Sequence, residues 1–458
     1  MNIFLVSILL FLLSLLNPSR IFADFTVIST DLGTLGGDNL FAYALNDLGT
    51  VVGVSQPPIE TNQAWNSFLW SNGTFTNLNI ANLSPRDINN LNQIVGEIDD
   101  STTISSKAFI WQNGIVTYID TFGSQLGHAR FINNNSEVAG EYNVTNSSPS
   151  RCFIWKNGIT TDLGTLGGNK CEIRSLNDNG QIVGISRTVS GQMHAFIWEN
   201  GIMTDLGTLG GVGVGSGLGS EPSAINNFGQ VVGYSYTESG FVHAFLWENG
   251  IITDLGTLGG NESVAMDIND SGKIVGWADT SSEKHAFLWN GVMTDIGNAY
   301  SEATRINNEG RIVGRMDQQT FFWENGSMNI LPLDSTWVAE YPTDFNEEGQ
   351  ILTRVVLNSG YERGFIINIQ TPSEAIQDLV NLIETFNLQQ GIDNSLDAKL
   401  GAAQNALSDV NQNNNQAAIN ALQSFINAVE AQRGNRITNE QANQLIAAAQ
   451  AIINSLSN

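Results

Sequence analysis

The chain has four histidines, His128, His194, His243 and His285. Three of them share one place in a repeat, which invites a metal reading. Equivalent positions in a ring of repeats lie on a circle, and a third-strand position sits far from the axis. Three such imidazoles do not converge on one ion at ~2 Å bonds, so neither a metal nor a cofactor is expected. Arg86, Arg130 and Arg174 occupy one position in three consecutive repeats of a chain poor in basic residues. Side by side they would hold a carboxylate or sulfate; paired with Asp87 or Glu172 they would be structural. Asp87, Asp267 and Asp344 each precede an inner-strand Ile or Phe. They either face one site, as the acids of a polysaccharide hydrolase or lyase would, or are spread around a ring. The repeated Asp162, Asp205, Asp254 and Asp295 read as solvated or turn-bonding strand ends. The sequence contains no Gly-x-Ser-x-Gly elbow, phosphate-binding glycine loop or calcium-loop pattern. No catalytic residue is assigned.

The elements that carry these residues repeat. Thr161-Asp162-Leu163-Gly164-Thr165-Leu166-Gly167-Gly168, then Asn177-Asp178-Asn179-Gly180-Gln181-Ile182-Val183-Gly184, then His194-Ala195-Phe196-Ile197-Trp198-Glu199-Asn200-Gly201 spell one unit. The unit returns at 204–250 and 253–291, with fainter copies elsewhere between 25 and 369. Its closing Trp falls at 70, 111, 155, 198, 247, 289 and 323, a period of about forty residues with strand-like wording, which points to stacked sheets. Asn-x-x-Gly and Trp-x-Asn-Gly are tight reversals between apolar runs, so each unit is an antiparallel meander of four strands. Asn92 and Ser136 replace the glycine in the second and third copies, and the Ser136 turn is expected to be the looser.

Eight inner strands are legible: Ala42–Asn46, Pro85–Asn89, Ala129–Asn133, Ile173–Asn177, Pro222–Asn226, Ala265–Asn269, Ala303–Asn307 and Pro342–Asn346. The last meander has three strands of its own, and Phe25–Leu32 carries the fourth-strand wording at the amino end. The expected fold is therefore an all-β eight-bladed propeller over 24–370, of four-stranded antiparallel blades closed by the N-terminal strand. Closure of that kind leaves no exposed sheet edge.

The strings His-Ala-Phe-Leu-Trp-Glu-Asn-Gly, Thr-Asp-Leu-Gly-Thr-Leu-Gly-Gly and Asn-x-x-Gly-Gln-Val-Val-Gly resemble the HAF repeat of bacterial exported proteins, in full in copies four to six. The resemblance implies an extracellular or envelope-exposed propeller and attaches no activity. After Thr371-Pro372 glycine nearly vanishes and apolar residues fall at helical spacing. Thr438-Asn439-Glu440-Gln441 has capping-box form and Gly434-Asn435 stops the preceding helix. Residues 371–458 read as a small four-helix unit. Its Leu422–Ile437 run resembles the FIMAH type of helical accessory domain at the C-terminal end of exported bacterial enzymes and surface proteins, which implies attachment or spacing.

Residues 1–23 read as a secretory signal: an apolar run of about 14 residues, short of the ~20 of a membrane span, ends at Ala23. It is cleaved or kept as an anchor; no later segment is apolar for long enough to span a bilayer. Forty-five acidic against nineteen basic residues, a net charge of −26, exclude nucleic acid as a partner, because phosphate binding needs a basic face. Cys152 replaces the Ala of His-Ala-Phe and Cys171 opens the next repeat. In an exported chain they form one bridge between repeats or remain two small buried thiols.

Length variation collects at one end of the meanders, in Ser55–Asn66, Ile98–Ser106, Tyr142–Ser150, Gly210–Glu221 and Ser235–Val242. Variable loops on a rigid scaffold are where binding usually resides. Just past the Val-Val-Gly string stand Val54, Glu97, Glu141, Ile185, Tyr234, Trp277 and Arg315, a mixture that suits a sugar or peptide surface or is an ordinary strand end. Tyr234, Tyr236, Phe241 and Trp277 are expected to be exposed in one patch. The sequence thus points to a secreted or cell-envelope monomer, a non-enzymatic scaffold binding a glycan or protein. That reading predicts no clustered, pKa-perturbed carboxylates near the axis. The alternatives are an extracellular hydrolase or lyase acting on polysaccharide, and a purely structural surface protein.

Overall fold

The computed structural model describes residues 26–457 apart from 58–64, 101, 104, 146, 214–216, 318, 332–336 and 409–414. The expected signal at 1–23 lies outside the described residues. The chain divides into two compact units, Ser29–Ile367 and one built on Asn368–Asn458.

The larger unit is made of antiparallel four-stranded meanders. Their first strands are Leu40–Leu45, Leu83–Ile88, Leu126–Ile132, Gly167–Leu176, Ser220–Ile225, Ser263–Ile268, Ser301–Ile306 and Trp337–Phe345. Six meanders stand as separate four-stranded sheets. The second and third share an eight-stranded sheet through one parallel bridge between Leu126 and Ser106. The meander beginning at Trp337 takes its fourth strand from Thr26–Asp31, which lies beside Glu362–Gln370. Leu32 N–H donates to the Gly364 carbonyl at 3.0 Å.

The Asn of each Asn-x-x-Gly turn explains why the meanders succeed one another without slippage. Asn226 Oδ1 accepts from the N–H groups of Phe228 and Gln230 (3.1 and 3.0 Å), closing its own turn, and Nδ2 donates to the carbonyl of Asn269 in the next meander (3.0 Å). The same donation runs from Asn46 to Asn89, Asn133, Asn177, Asn226, Asn269 and Asn307, then to the Glu347 carbonyl, and Asn346 donates to Asn46. A parallel series joins each following backbone N–H to the side chain of its neighbour, from Asp47 to Asn90 and onward until Glu347 N–H reaches Asp47 Oδ1. Both series return to their origin. The eight Asn side chains are buried, a burial that stands because their polar atoms are paired. Ser136, at φ +62°, keeps the turn bond Ser136 N–H to Asn133 O (3.1 Å) and adds a side-chain bond to Gln93 (2.7 Å). The third turn is as closed as the rest, contrary to expectation.

Apolar cores lie between consecutive meanders, each built from third-strand residues of one and inner-strand residues of the next; one joins Leu32, Leu40 and Phe68 to Leu352 and Ile366. The Phe of His-Ala-Phe is fully buried at 109, 153, 196, 245, 287 and 321, each ring contributing about 1.5–3 kcal/mol by burial. The glycine of Val-Val-Gly makes room for it. A Cβ on Gly140 would lie 2.2 Å from the His128 carbonyl and 2.5 Å from the Phe153 ring.

One further contact recurs where the Ala of His-Ala-Phe meets the head of the next inner strand. Ala195, Ala244 and Ala286 N–H donate to the hydroxyls of Ser220, Ser263 and Ser301 (2.9, 2.8 and 3.0 Å). At the same junction Cys152 and Cys171 are disulfide-bonded, Cα atoms 5.6 Å apart. Thr320 faces Glu340 there, and a Cβ on Gly364 would meet the Leu40 side chain at 2.8 Å. The alanine is small because this is a point of close approach between sheets.

The smaller unit has four helices: α1 (Pro372–Thr385), α2 (Gln390–Leu407), α3 (Asn415–Glu430) and α4 (Asn439–Ser457). Thr371 and Glu374 form a capping box at α1. Thr438 and Gln441 exchange the equivalent bonds before α4, at 3.0 and 3.1 Å. Ile376, Leu379, Leu400, Leu422, Phe425 and Leu445 share one core. No helix among the described residues is long and apolar enough to cross a membrane.

Candidate functional site

Every inner strand carries a β-bulge at one register, at Tyr43, Arg86, Arg130, Arg174, Ser223, Met266, Thr304 and Thr343. The bulge adds a side chain to the inner wall and re-aims it. Arg86 thereby reaches Glu97 on the next strand, its Nε 2.9 Å from Oε1. Arg130 lies 3.7 Å from Glu141, and Arg174 pairs with Glu172 at 3.1 Å and Glu221 at 2.7 Å. The three guanidinium groups thus face carboxylates, as in the structural alternative, rather than standing together free for an anion. Asp87 is not their partner; its carboxylate accepts from backbone instead.

Glu97 and Glu141, expected on a ligand surface, are engaged within the wall as well. Glu97 is buried; that burial pushes its carboxyl up, but the nearby His128 ring and the Arg86 guanidinium that donates to it hold it below its ordinary value. Glu141 is part-buried and accepts from Ile173 N–H of the next meander at 3.0 Å. The expected exposed aromatic patch is largely packed into the wall. Tyr234 donates its hydroxyl to Glu221 at 2.7 Å, and burial and that carboxylate push its pKa up. Lys284 lies 3.7 Å from the ring centre of Trp277 and 3.9 Å from Glu302. Arg315 stands 4.6 Å from the ring centre of Tyr341. Tyr234, Tyr236, Trp277 and Arg315 are all half-buried and only Phe241 is exposed. Trp277 is a wall residue, so replacing it by Ala removes packing.

Together these contacts form a belt that crosses from meander to meander: Glu97 to His128 (3.8 Å), Glu141 to Ile173, Arg174 to Glu221, Lys284 to Glu302, Arg315 to Tyr341, and Arg354 to Phe41 (5.6 Å from the ring centre). Beside the last contact Phe41 stacks on Trp65, ring centres 5.2 Å apart. Trp65 and Tyr43 are each 39% exposed, as is Tyr361. The sequence reading missed this group. Aligning the inner strands would have found Phe41 and Tyr43 at the positions of Ser84 and Arg86.

Deeper on the same strands, Asp87 accepts from Ile88 and Ile132 N–H, both at 2.8 Å. Asp267 accepts from Ile268 and Ile306 (2.9 and 3.0 Å) and Asp344 from Phe345 and Leu45 (both 2.9 Å). Each ties two inner strands together with both carboxylate oxygens. Burial pushes Asp87 up to about 7 and raises the other two; Asp344 lies close enough to Asp87 and Asp267 to add to the rise. Perturbed carboxylates are therefore present on the inner strands, against the expectation of the binding reading. All three residues are part-buried.

The repeated His and Asp are partners. His194, His243 and His285 hold Nδ1 2.9, 2.8 and 2.8 Å from Asp205, Asp254 and Asp295, and each Asp also accepts from the Gly two residues on. Arg151 takes the histidine's place against Asp162 (2.9 Å), and Arg363 against Asp31 (3.8 Å).

Four-stranded antiparallel meanders packed one upon the next are the architecture of a β-propeller. Residues 374–454 match the FIMAH domain family, so the helical unit is a domain of that type. No curated protein matches the chain. Among solved structures, it is similar to the β-propeller domain of the Trilobed protease from Pyrococcus furiosus, at 12% identity over 64% of this chain and 94% of that one, TM-score 0.43. It is also similar to Pyrococcus horikoshii acylaminoacyl peptidase (11%, 69% of this chain and 57% of that one, TM-score 0.40) and to TolB from Acinetobacter baumannii (10%, 70% and 79%, TM-score 0.31).

Proposed function

We propose that the chain is an exported, non-enzymatic eight-bladed propeller of the HAF-repeat kind, closed by Thr26–Asp31, that binds a glycan or protein partner through its variable-loop face. The helical domain serves as an accessory for attachment or spacing. One observation carries the reading. The inner-wall carboxylates described above are each committed to a backbone amide, a guanidinium or a phenol, while Trp65, stacked on Phe41, is exposed. Flat rings with charge neutralised around them suit a sugar or peptide surface.

The test is a glycan array and a panel of extracellular proteins probed with residues 24–458. Binding by the parent is expected, weakened at least tenfold by Trp65→Ala at nearly unchanged thermal stability. Equal binding by that variant removes the aromatic face from the account. A second reading, a polysaccharide hydrolase or lyase, is favoured by one observation, the Asp87 carboxyl near 7. Sugar release by the parent that Asp87→Asn abolishes, with the fold intact, would establish it instead.

A further inference from the structure

On the opposite face, between the fourth and fifth meanders, lies an open groove of about 360 Å³. Its walls are Phe228, Trp247 and Ile202, and Glu199 and Glu248 flank them. Phe228 is 75% exposed and Ile202 68%, so two large apolar side chains stand in water beside two carboxylates. Gln181 and Gln230 each donate to one of these carboxylates, at 3.1 and 3.0 Å, which fixes their direction without neutralising them.

The repeat supplies an internal comparison. The position of Phe228 is held by Asn135, Asn179, Ser271, Glu309 and Glu348 in other turns, and by Leu48 and Leu91 in the first two. At two other places on this face a cation answers a carboxylate: Lys156 pairs with Glu137, and Arg311 with Glu324 and Glu309. The groove between meanders four and five combines an exposed aromatic ring with two acids and has no Lys or Arg in its lining.

We propose that this groove is a recognition site for a lysine side chain of a protein partner. The ammonium would sit between the Glu199 and Glu248 carboxylates and its alkyl stem against Phe228 and Trp247, an arrangement in which ring faces and carboxylates both attract the cation. The net charge of −26 favours approach of a basic segment. The site is separate from the variable-loop face and stands or falls independently of it.

The test is titration of residues 24–458 with a short neutral-flanked peptide carrying one lysine, followed by NMR or calorimetry, beside the same peptide Nε-acetylated. The expected result is binding of the lysine peptide, at least tenfold weaker after acetylation. Phe228→Ser and Glu199→Gln/Glu248→Gln should each weaken it at least fivefold with the melting temperature nearly unchanged. Glu238→Gln/Glu283→Gln, remote from the groove, should leave it as it is. Absence of binding by the parent overturns the proposal, as does equal binding of the acetylated peptide. An equal loss in the remote variant would mean diffuse attraction to an acidic protein, which also overturns it.

Discussion

Glu340 is the residue whose protonation the fold controls most plainly. It is fully buried between Thr320 and Thr353, and no hydrogen bond of ordinary geometry satisfies either of its oxygens. Burial pushes it up to about 7, against about 4.3 in an unfolded chain. Between those values the folded protein holds a proton that the unfolded chain has released. Its contribution to stability is therefore full below about pH 4 and is lost as the pH rises through about 7. Melting temperature should fall between about pH 5 and pH 8, and Glu340→Gln, uncharged throughout, should fall less. An equal fall in the variant would show that Glu340 is ionised in the fold.

The candidate site was only half legible at this scale. Arg86 and Glu97, Arg130 and Glu141 were each visible in the sequence, but as members of two different sites. A bulge in the inner strand joins them, and no residue type announces a bulge at eight such varied positions. The aromatic rings were legible as types; their exposure depended on which Lys or Glu lay across the next sheet.

Among elements, the junction between one third strand and the next inner strand admits several chemistries at one geometry: Ala with Ser, Cys with Cys, Thr with Glu. Both cysteines occupy it, which is why a bridge between repeats fits there without a special loop. A loop of this length makes the bridge worth about 3 kcal/mol in the chain-entropy account. Cys152→Ala/Cys171→Ala should lose about that much in urea unfolding. Cys152→Ala/Cys171→Ser restores the Ala–Ser bond used at Ala195 and Ser220 and should recover about 1 kcal/mol of the loss. Equal stability of the two double variants would mean that the hydroxyl is not bonded there. The strand and turn wording made the meanders readable, because period and Asn-Gly turns are local signals. The junction was not, because the head of each inner strand reads Leu, Gly, Cys, Ser or Glu with no common pattern.

At the scale of the whole propeller unit, the two hydrogen-bond series through Asn46–Asn346 and Asp47–Glu347 run through eight turns and return to their start. The sequence marks the eight Asn-x-x-Gly turns or their near copies, but not that each Asn reaches a carbonyl of the next turn. The proposed closure joins these eight meanders in one ring, completed at its outer edge by Thr26–Asp31. The most direct measurement is the unfolding free energy of residues 34–458, compared with that of residues 24–458. Loss of the fourth strand beside Glu362–Gln370, of the Arg363–Asp31 pair and of buried Leu32 predicts destabilisation by several kcal/mol and a tendency to associate through the bared edge. A truncated chain as stable and as monomeric as the parent would contradict the closed ring.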